Sequence, residues 1–473
     1  MKKYIISVEL LFIASVAFAQ GSTPLSVGDG ARLYTLQQLK DSALQNNMAV
    51  RKAHYAIQSA QEQRKEAYTK YFPNVSATAM WFNANRGMVK MDMNPSEMLS
   101  PSLGASLAQI LPQEMLLELS NPISMSMMKK GTIASVTAVQ PLFAGGQIVN
   151  GNRLAKVGEE VSHLQLQLSE NEVEKTVEQY YWQLVSLREK LNTLAAVDSM
   201  LASIRRDVDV AVRAGVALRN DQLQVQLRQN DVESQRVKVL NGISIVKMLL
   251  AQYCGLAAPT ADARQNDAAA AAFDVIIPAS DNMSPTLPAP LADGNALERL
   301  PEYQLLQKQV EATDLQRRLA VGKNLPSLAV GAGYNYHNLL ENDRTFAMVF
   351  ATLSIPISDW WGGSHAIKRS KIDQQKAVDE LADNSQMLNI RMQKTWNDVN
   401  EAYQQLTIAQ RSIDQASENL RLNRDFYRAG TSTMSDLLQA QLLYQQALDS
   451  RTDAFADYQN KLLDYRQATG TNH

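Results

Sequence analysis

Cysteine is almost missing from these 473 residues; Cys254 stands alone, so no disulfide can form within the chain. Charge imbalance is missing too, with 46 Lys and Arg against 48 Asp and Glu and a formal net charge of -2. Such a balance carries no electrostatic footprint for nucleic acid. The histidines His54, His163, His337, His365 and His473 are scattered, and no H-E-x-x-H, nucleophile elbow or Walker loop accompanies them. Gly331-Ala332-Gly333 lacks the third glycine and the following helix of a nucleotide loop. The chain reads as a non-enzyme, with neither a metal site nor a cofactor. Long apolar runs are absent after the first twenty or so residues, which argues against a membrane-spanning helix in the body of the chain.

What is present starts at the N-terminus. Met1-Lys2-Lys3, an apolar run from Tyr4 to Phe18, and Ala17-Phe18-Ala19 have the order of a secretory leader over residues 1–19, cleaved between Ala19 and Gln20. The run is short for a span of ~20 residues and carries Glu9. No cysteine follows the cleavage point, so no lipid anchor is expected there.

The remainder is written twice. Arg213-Ala214-Gly215 is followed by Asp221, Gln224 and Gln226; Arg428-Ala429-Gly430 is followed by Asp436, Gln439 and Gln441. Each pair differs by 215 (436 − 221), as do Pro141 and Pro356, and Gly255 and Gly470. A second offset, 253, joins Pro73 to Pro326. From Pro73 to Pro141 is 68 residues and from Pro326 to Pro356 is 30, so the first half carries about 38 extra residues. They fall in the Met-rich stretch 84–130, with Met88, Met91, Met93, Met115, Met125, Met127 and Met128. Thioethers suit Cu(I) or Ag(I), but a surface loop or cap between two strands is the simpler expectation.

Each half reads helix, strand, strand, long helix, turn, long helix. Repeat one (20–256) is expected to hold a helix over 35–70, strands at 75–82 and 131–141, and helices at 147–213 and 221–253. A linker follows at 257–294, rich in Ala, Pro and Asp, with a short strand at 273–277. Repeat two (295–473) repeats the order with a helix over 295–321, strands at 327–337 and 344–356, and helices at 364–428 and 435–469. Leu328, Val330, Ala332, Tyr334 and Tyr336 alternate with Ala329, Gly331, Gly333, Asn335 and His337. An apolar face ending in aromatics, opposite a small and polar one, fits a strand between lipid and lumen. The returning strands are expected to stop at proline, and the pairs Gly145-Gly146 and Gly362-Gly363 to turn the chain into the next helix. Val173, Val177, Tyr180, Leu184, Leu187, Leu191 and Leu194 keep a 4-3 spacing, which is coiled-coil periodicity. A helix over roughly 65 residues would be about 100 Å long. Trp81, Trp182, Trp360, Trp361 and Trp396 suit membrane interfaces and helix seams.

Four membrane strands cannot close a barrel, and an open edge in lipid would leave backbone groups unpaired. Closure therefore needs several chains; two would fill the interior, whereas three leave a lumen.

The tandem halves, the strands ending in proline, the Gly-Gly helix entries and the Gly-x5-Asp helix turns resemble the TolC-like outer membrane efflux proteins over residues 32 to 470. The resemblance implies a homotrimer joining a 12-stranded β-barrel in outer-membrane lipid to a helical barrel in the periplasm. It implies a passive duct of a tripartite pump, opened at its periplasmic tip by a membrane-fusion adaptor. An inner-membrane transporter would serve it, of resistance-nodulation type or an ABC exporter. The outer duct of a type I protein-secretion system shares the scaffold, and a periplasmic coiled-coil scaffold without a pore is the rival of another class. Docking tips would be Arg213, Ala214 and Gly215 with Arg428, Ala429 and Gly430. The gate carries over as Tyr427, Asp436 and Asp221, with Ser432 and Gln439 standing where the family has Arg and a second Asp. Both Asp residues also sit where helix N-termini favour a cap.

Overall fold

The computed structural model describes residues 25–26, 32–93, 123–256, 273–276, 296–339, 343–357 and 359–471, with single positions 112, 114 and 287. The expected leader with its cleavage point at Ala19 and Gln20, most of the linker, and much of the Met-rich insertion lie outside the described residues.

In chain order the first half runs β1 (Leu25–Ser26), β2 (Arg32–Tyr34), α1 (Leu36–Asn46), α2 (Met48–Thr69), β3 (Asn74–Asn83), β4 (Val89–Met93), β5 (Ile123–Met127), β6 (Lys130–Ala144), α3 (Gln147–Arg213) and α4 (Arg219–Tyr253). β7 (Phe273–Val275) lies in the linker. The second half runs α5 (Ala296–Arg299), α6 (Pro301–Lys323), β8 (Ser327–Asn338), β9 (Asp343–Ser354), α7 (Asp359–Arg428) and α8 (Met434–Thr469).

Four local expectations are corrected. The helix expected over 35–70 breaks at Asn47, whose ψ of 136 is extended. The Asn47 side chain accepts from the Ala49 amide at 2.8 Å and donates to the Tyr253 carbonyl at 3.0 Å, which compensates the break. The helix expected over 295–321 breaks at Leu300, because Pro301 disfavours helical geometry in the residue before it and itself suits the first turn. Strand β6 does not stop at Pro141 but continues to Ala144 across a register shift between Pro141 and Phe143. β3 has already ended its pairing at Val139, so the proline removes no ladder bond on that side. The two Gly pairs are not equivalent either. Gly145 and Gly146 take φ of 59° and 75° and turn the chain, whereas Gly362 and Gly363 lie inside α7.

The chain divides into two compact units, one of residues 53–167 and 297–388, the other of residues 1–52, 168–296 and 389–473. In the first, β3, β6, β8 and β9 form one antiparallel sheet in the order β3-β6-β8-β9. Register places Val75, Ala77, Ala79 and Trp81 on one face with Thr132, Ala134, Val136 and Ala138, then Val330, Ala332, Tyr334 and Tyr336, then Ala347, Val349, Ala351 and Leu353. No charge interrupts that face between its rims, and Val75, Trp81, Val349 and Leu353 are all exposed. The opposite face carries Ser76, Thr78, Ser135 and Thr137, whose hydroxyls pair across strands at 3.1 Å (Ser76 with Thr137) and 2.8 Å (Thr78 with Ser135). Phe346, Met348 and Phe350 also stand on this second face, so it is less polar than β8 alone suggests. The Phe350 ring covers Gly331, where an added Cβ would lie 2.4 Å from it. The Met-rich insertion is not simply a loop; Val89–Met93 and Ile123–Met127 form an antiparallel ladder in which Met91 faces Met125.

Helices in this unit are tied by polar contacts. Arg64 of α2 meets Glu159 of α3 at 2.8 Å, Glu160 of α3 meets Lys308 of α6 at 2.6 Å, and Asp314 of α6 accepts from Gln374 of α7 at 3.1 Å. At the helix–strand junction the backbone of Gly145 abuts that of Gly322; a Cβ on either would lie 2.2–2.4 Å from the other's carbonyl oxygen.

In the second unit the 4-3 spacing becomes a buried seam, with Val173, Val177, Leu184, Leu194, Leu201 and Val208 nearly or wholly inaccessible. β2 pairs with β1 antiparallel and with β7 in parallel. Asp274 of β7 is bridged by Arg188 of α3 and by Lys247 of α4 at 3.4 Å, and the Tyr181 hydroxyl donates to the Ile276 carbonyl at 2.7 Å. Cys254 is wholly buried, and burial pushes its thiol up to about 12.

Gly145→Ala and Gly322→Ala are each expected to cost roughly 2–4 kcal/mol, because backbone would have to move. Gly215→Ala, where φ is 74° but nothing crowds the position, is expected to cost only about 1 kcal/mol. Thermal unfolding of the three variants side by side checks the ranking.

Candidate functional site at the helical hairpin turns

The second unit contains two helical hairpins, α3–α4 and α7–α8, and the sequence-identified residues sit at their turns. Each turn closes in the same way. Gly215 and Gly430 adopt φ of 74° and 73°. The amides of Val216 and Thr431 then reach back to the Ala211 and Phe426 carbonyls at 3.0 and 2.9 Å, satisfying the last groups of α3 and α7. Val216 and Leu218 are left 79% and 70% exposed, an apolar prominence at the first turn that the Arg-Ala-Gly motif did not indicate. Arg213 bonds the Asp209 carbonyl at 3.2 Å, while Ala214, Arg428 and Ala429 are exposed.

The returning helices start on a carboxylate. Asp436 accepts from the Thr433 amide at 3.0 Å, the Thr433 hydroxyl at 2.6 Å and the Ser432 hydroxyl at 3.2 Å, while its own amide donates to Thr433 Oγ1 at 3.2 Å. This is a capping box in which Ser432 also takes part. The hydroxyl of Thr433 first, then its amide, then Ser432 hold the exposed Asp436 carboxyl below the usual aspartate range. Asp221 does half as much, accepting from the Leu218 amide at 3.2 Å. Leu218 supplies no hydroxyl, so no reciprocal bond forms. Gln439 lies exposed one turn beyond Asp436.

One core joins the two hairpins. Leu201, Ile204 and Val208 of α3 pack with Val225 and Val232 of α4, Leu420 of α7, and Met434 and Leu437 of α8. Tyr427 packs half-buried against this cluster. Burial, then the nearby charges of Asp221 and Asp207, raise the Tyr427 hydroxyl above its ordinary value. The structure thus brings Tyr427 and Asp221 into one electrostatic neighbourhood, though no hydrogen bond joins them in the single chain.

A buried polar layer lies further along the same helices. Arg228, 9% exposed, donates from Nε to Gln441 at 3.0 Å and from Nη2 to Gln445 at 2.6 Å. Gln445 in turn donates to Gln235 at 2.9 Å. Burial lowers the Arg228 pKa, and no carboxylate bonds it. Sequence reading missed this layer, because Arg228 occupies a position where the seam's own spacing leaves polar residues unremarkable. Among the described residues no group of His, Cys, Asp or Glu is arranged to hold a metal, and no helix is long and apolar enough to cross a membrane.

These features define a class of fold: a tandem-repeat protein with one four-stranded antiparallel sheet and two long helical hairpins. Residues 294–471 match the outer membrane efflux protein family. No curated protein matches the chain in sequence. Among solved structures it is similar to the outer membrane protein VceC of Vibrio cholerae, with TM-score 0.69 and 13% identity over 92% of this chain and 96% of that one. It is similar to the CmeC outer membrane channel of Campylobacter jejuni, with TM-score 0.70 and 14% identity over 92% of this chain and 85% of that one. It is also similar to the open state of the MtrE outer membrane channel of Neisseria gonorrhoeae, with TM-score 0.68 and 16% identity over 95% and 94% of the two chains. The second half thus matches an outer membrane efflux protein family model, and the chain shares its fold with these outer membrane channels.

Two outcomes follow at this site. The capping of α8 by Asp436 is complete above the ordinary aspartate pKa of about 4 and is lost as pH falls through the lower folded value. Protection of the amides at the start of α8, measured by hydrogen–deuterium exchange relative to the intrinsic rate, should fall on acidification in wild type and be low and pH-insensitive in Asp436→Ala. Arg228→Ala should cost roughly 2–4 kcal/mol in denaturant unfolding, because it leaves buried glutamine carbonyls unpaired.

Proposed function

We propose that three copies of this chain close a 12-stranded barrel in the outer membrane and serve as the passive exit duct of a tripartite efflux pump for small molecules. The observation that carries the reading is the four-stranded sheet. One face is apolar across all four strands, and β3 and β9 each keep one unpaired edge. In lipid each edge must find a partner, and β9 of one copy against β3 of the next supplies it. A pore-free periplasmic scaffold would have no use for that face.

In this reading the hairpin turns form the periplasmic entrance. Three Asp436 carboxylates ring it, kept ionised by their own caps. Tyr427 and Asp221 form the latch that holds the entrance closed, with the hydroxyl donating to the carboxylate once neighbouring copies tighten the bundle. A membrane-fusion adaptor docks at Val216, Leu218 and the two Arg-Ala-Gly turns and releases the latch, and an inner-membrane transporter selects the cargo.

Outer-membrane fractionation and a heat-modifiable trimer on gels test the assembly; a protein recovered wholly in the soluble periplasmic fraction would end the proposal. Planar-bilayer recordings test the latch. Tyr427→Phe and Asp221→Ala are each expected to raise the open-state frequency severalfold, consistent with the loss of about 1 kcal/mol per bond, and unchanged opening would show that neither residue gates.

A further inference from the structure

Next to the helix–strand junction, α2 and the start of α3 enclose a groove of about 680 Å³. Arg64, Lys65, Arg153 and Lys156 line it, against one carboxylate, Glu159. Arg64 spans to Glu159 at 2.8 Å, while Arg153 and Lys156 are exposed. Tyr68 and Tyr71, 58% and 40% exposed with ring centroids 5.5 Å apart, close the end nearer the strands.

Three further observations bear on the occupant. The apolar face of the sheet runs up to this junction, where Val75, Phe143, Leu328 and Leu353 are all exposed. Hydrocarbon-facing side chains thus give way to tyrosines and then to cations, the order in which a bilayer passes from acyl chains to headgroups. A neighbouring cavity includes Asn74 and Pro141 of the hydroxyl-bearing face, and it takes Gln63, Glu66, Ala67 and Thr69 of α2 rather than Gln61, Arg64, Lys65 and Tyr68. At ~100° per residue these two sets centre on opposite faces of α2, so the basic groove opens away from the hydroxyl-bearing side.

The third observation is the duplication. At the offset of 253, Arg64 and Lys65 become Arg317 and Arg318; at the offset of 215, Arg153 and Lys156 become Lys368 and Lys371. All four cations recur, although Tyr68 and Tyr71 become Val321 and Asn324, Glu159 becomes Gln374, and Gln61 becomes Asp314, which Arg317 and Arg318 meet at 2.8 and 2.7 Å. Packing does not require a cation at Arg153, Lys156, Lys368 or Lys371, all of which are exposed.

We infer that the α2–α3 groove, with its counterpart on α6 and α7, is a binding site for the phosphate of anionic phospholipid headgroups in the periplasm-facing leaflet. The cations hold the phosphate, with Arg64 shared between it and Glu159, and the tyrosines lie against the glycerol and upper acyl region. The inference rests on the reading that the sheet sits in the membrane.

The test uses purified full-length protein in detergent, with native mass spectrometry counting retained dioleoyl phosphatidylglycerol and dioleoyl phosphatidylcholine. Wild type should prefer phosphatidylglycerol. The quadruple variant Arg153→Gln, Lys156→Gln, Lys368→Gln, Lys371→Gln should retain it at least about tenfold less, at ~1 kcal/mol per cation near a surface, with phosphatidylcholine unchanged. The charge-conserving set Arg153→Lys, Lys156→Arg, Lys368→Arg, Lys371→Arg should restore the preference, which a variant damaged in folding would not. Equal retention of the two lipids by wild type overturns the proposal, as does a preference abolished by millimolar inorganic phosphate, which marks a soluble-anion site. A changed ion selectivity in planar bilayers with lipid retention intact also overturns it, since it places these cations in the conduit. A chain that inserts in bilayers without lipid preference refutes this inference alone, whereas one that never inserts refutes the membrane reading beneath it.

Discussion

Unpaired backbone at the two edges of the β3-β6-β8-β9 sheet is the constraint on which the rest depends. In water an edge strand can satisfy its amides and carbonyls with solvent, but an apolar face of this extent leaves the sheet no stable place in water either. In the proposed assembly both demands are met together, the sheet lying in lipid and its edges closing on other copies. The junction below it must then turn the chain within a few residues, and it does so through the left-handed Gly145 and Gly146 and the close Gly145–Gly322 contact. The hairpins have a different task. Their shared core packs residues of both hairpins together, and Tyr427 lies against it.

Much of this was legible in the sequence because duplication repeats the signal. The constant offset of 215 fixed the hairpins, and both turns indeed close on a glycine in the left-handed region. The seam of α3 was visible because 4-3 spacing over many turns has no common competing explanation. Boundaries set by a single residue were less accessible. Asn47 breaks a helix through hydrogen bonds to a distant segment ending at Tyr253, a contact that local composition does not encode. Pro301 was readable in principle, yet the surrounding helical composition outweighed it. Pro141 continued its strand because β3 had already ended, a fact of register rather than of proline.

At the turns the sequence indicated the right positions but incompletely described their work. The sequence suits Asp436 and Asp221 both to caps and to a gate, and the capping geometry of Asp436 is fully formed within one chain. The two roles are compatible, since a cap that lowers the carboxyl's pKa also keeps it charged, as the proposed gate requires. The exposed Val216 and Leu218 escaped notice because an apolar residue in a turn carries no motif. The buried Arg228 escaped for the opposite reason, because arginine on a long helix ordinarily lies in solvent.

That arginine also records how far the two halves have diverged. Arg228 of the first half is held by Gln441 and Gln445 of the second, and the position matching Arg228 at the offset of 215 is Leu443. The matching acceptors would be Gln226 and Asn230. The layer therefore crosses the repeat, with the first half giving the donor and the second the acceptors, although the first half keeps amides at the acceptor positions. Two copies of the second half, with leucine in place of that arginine, could not form the layer, so the second half depends on the first at a point well inside the helical hairpins.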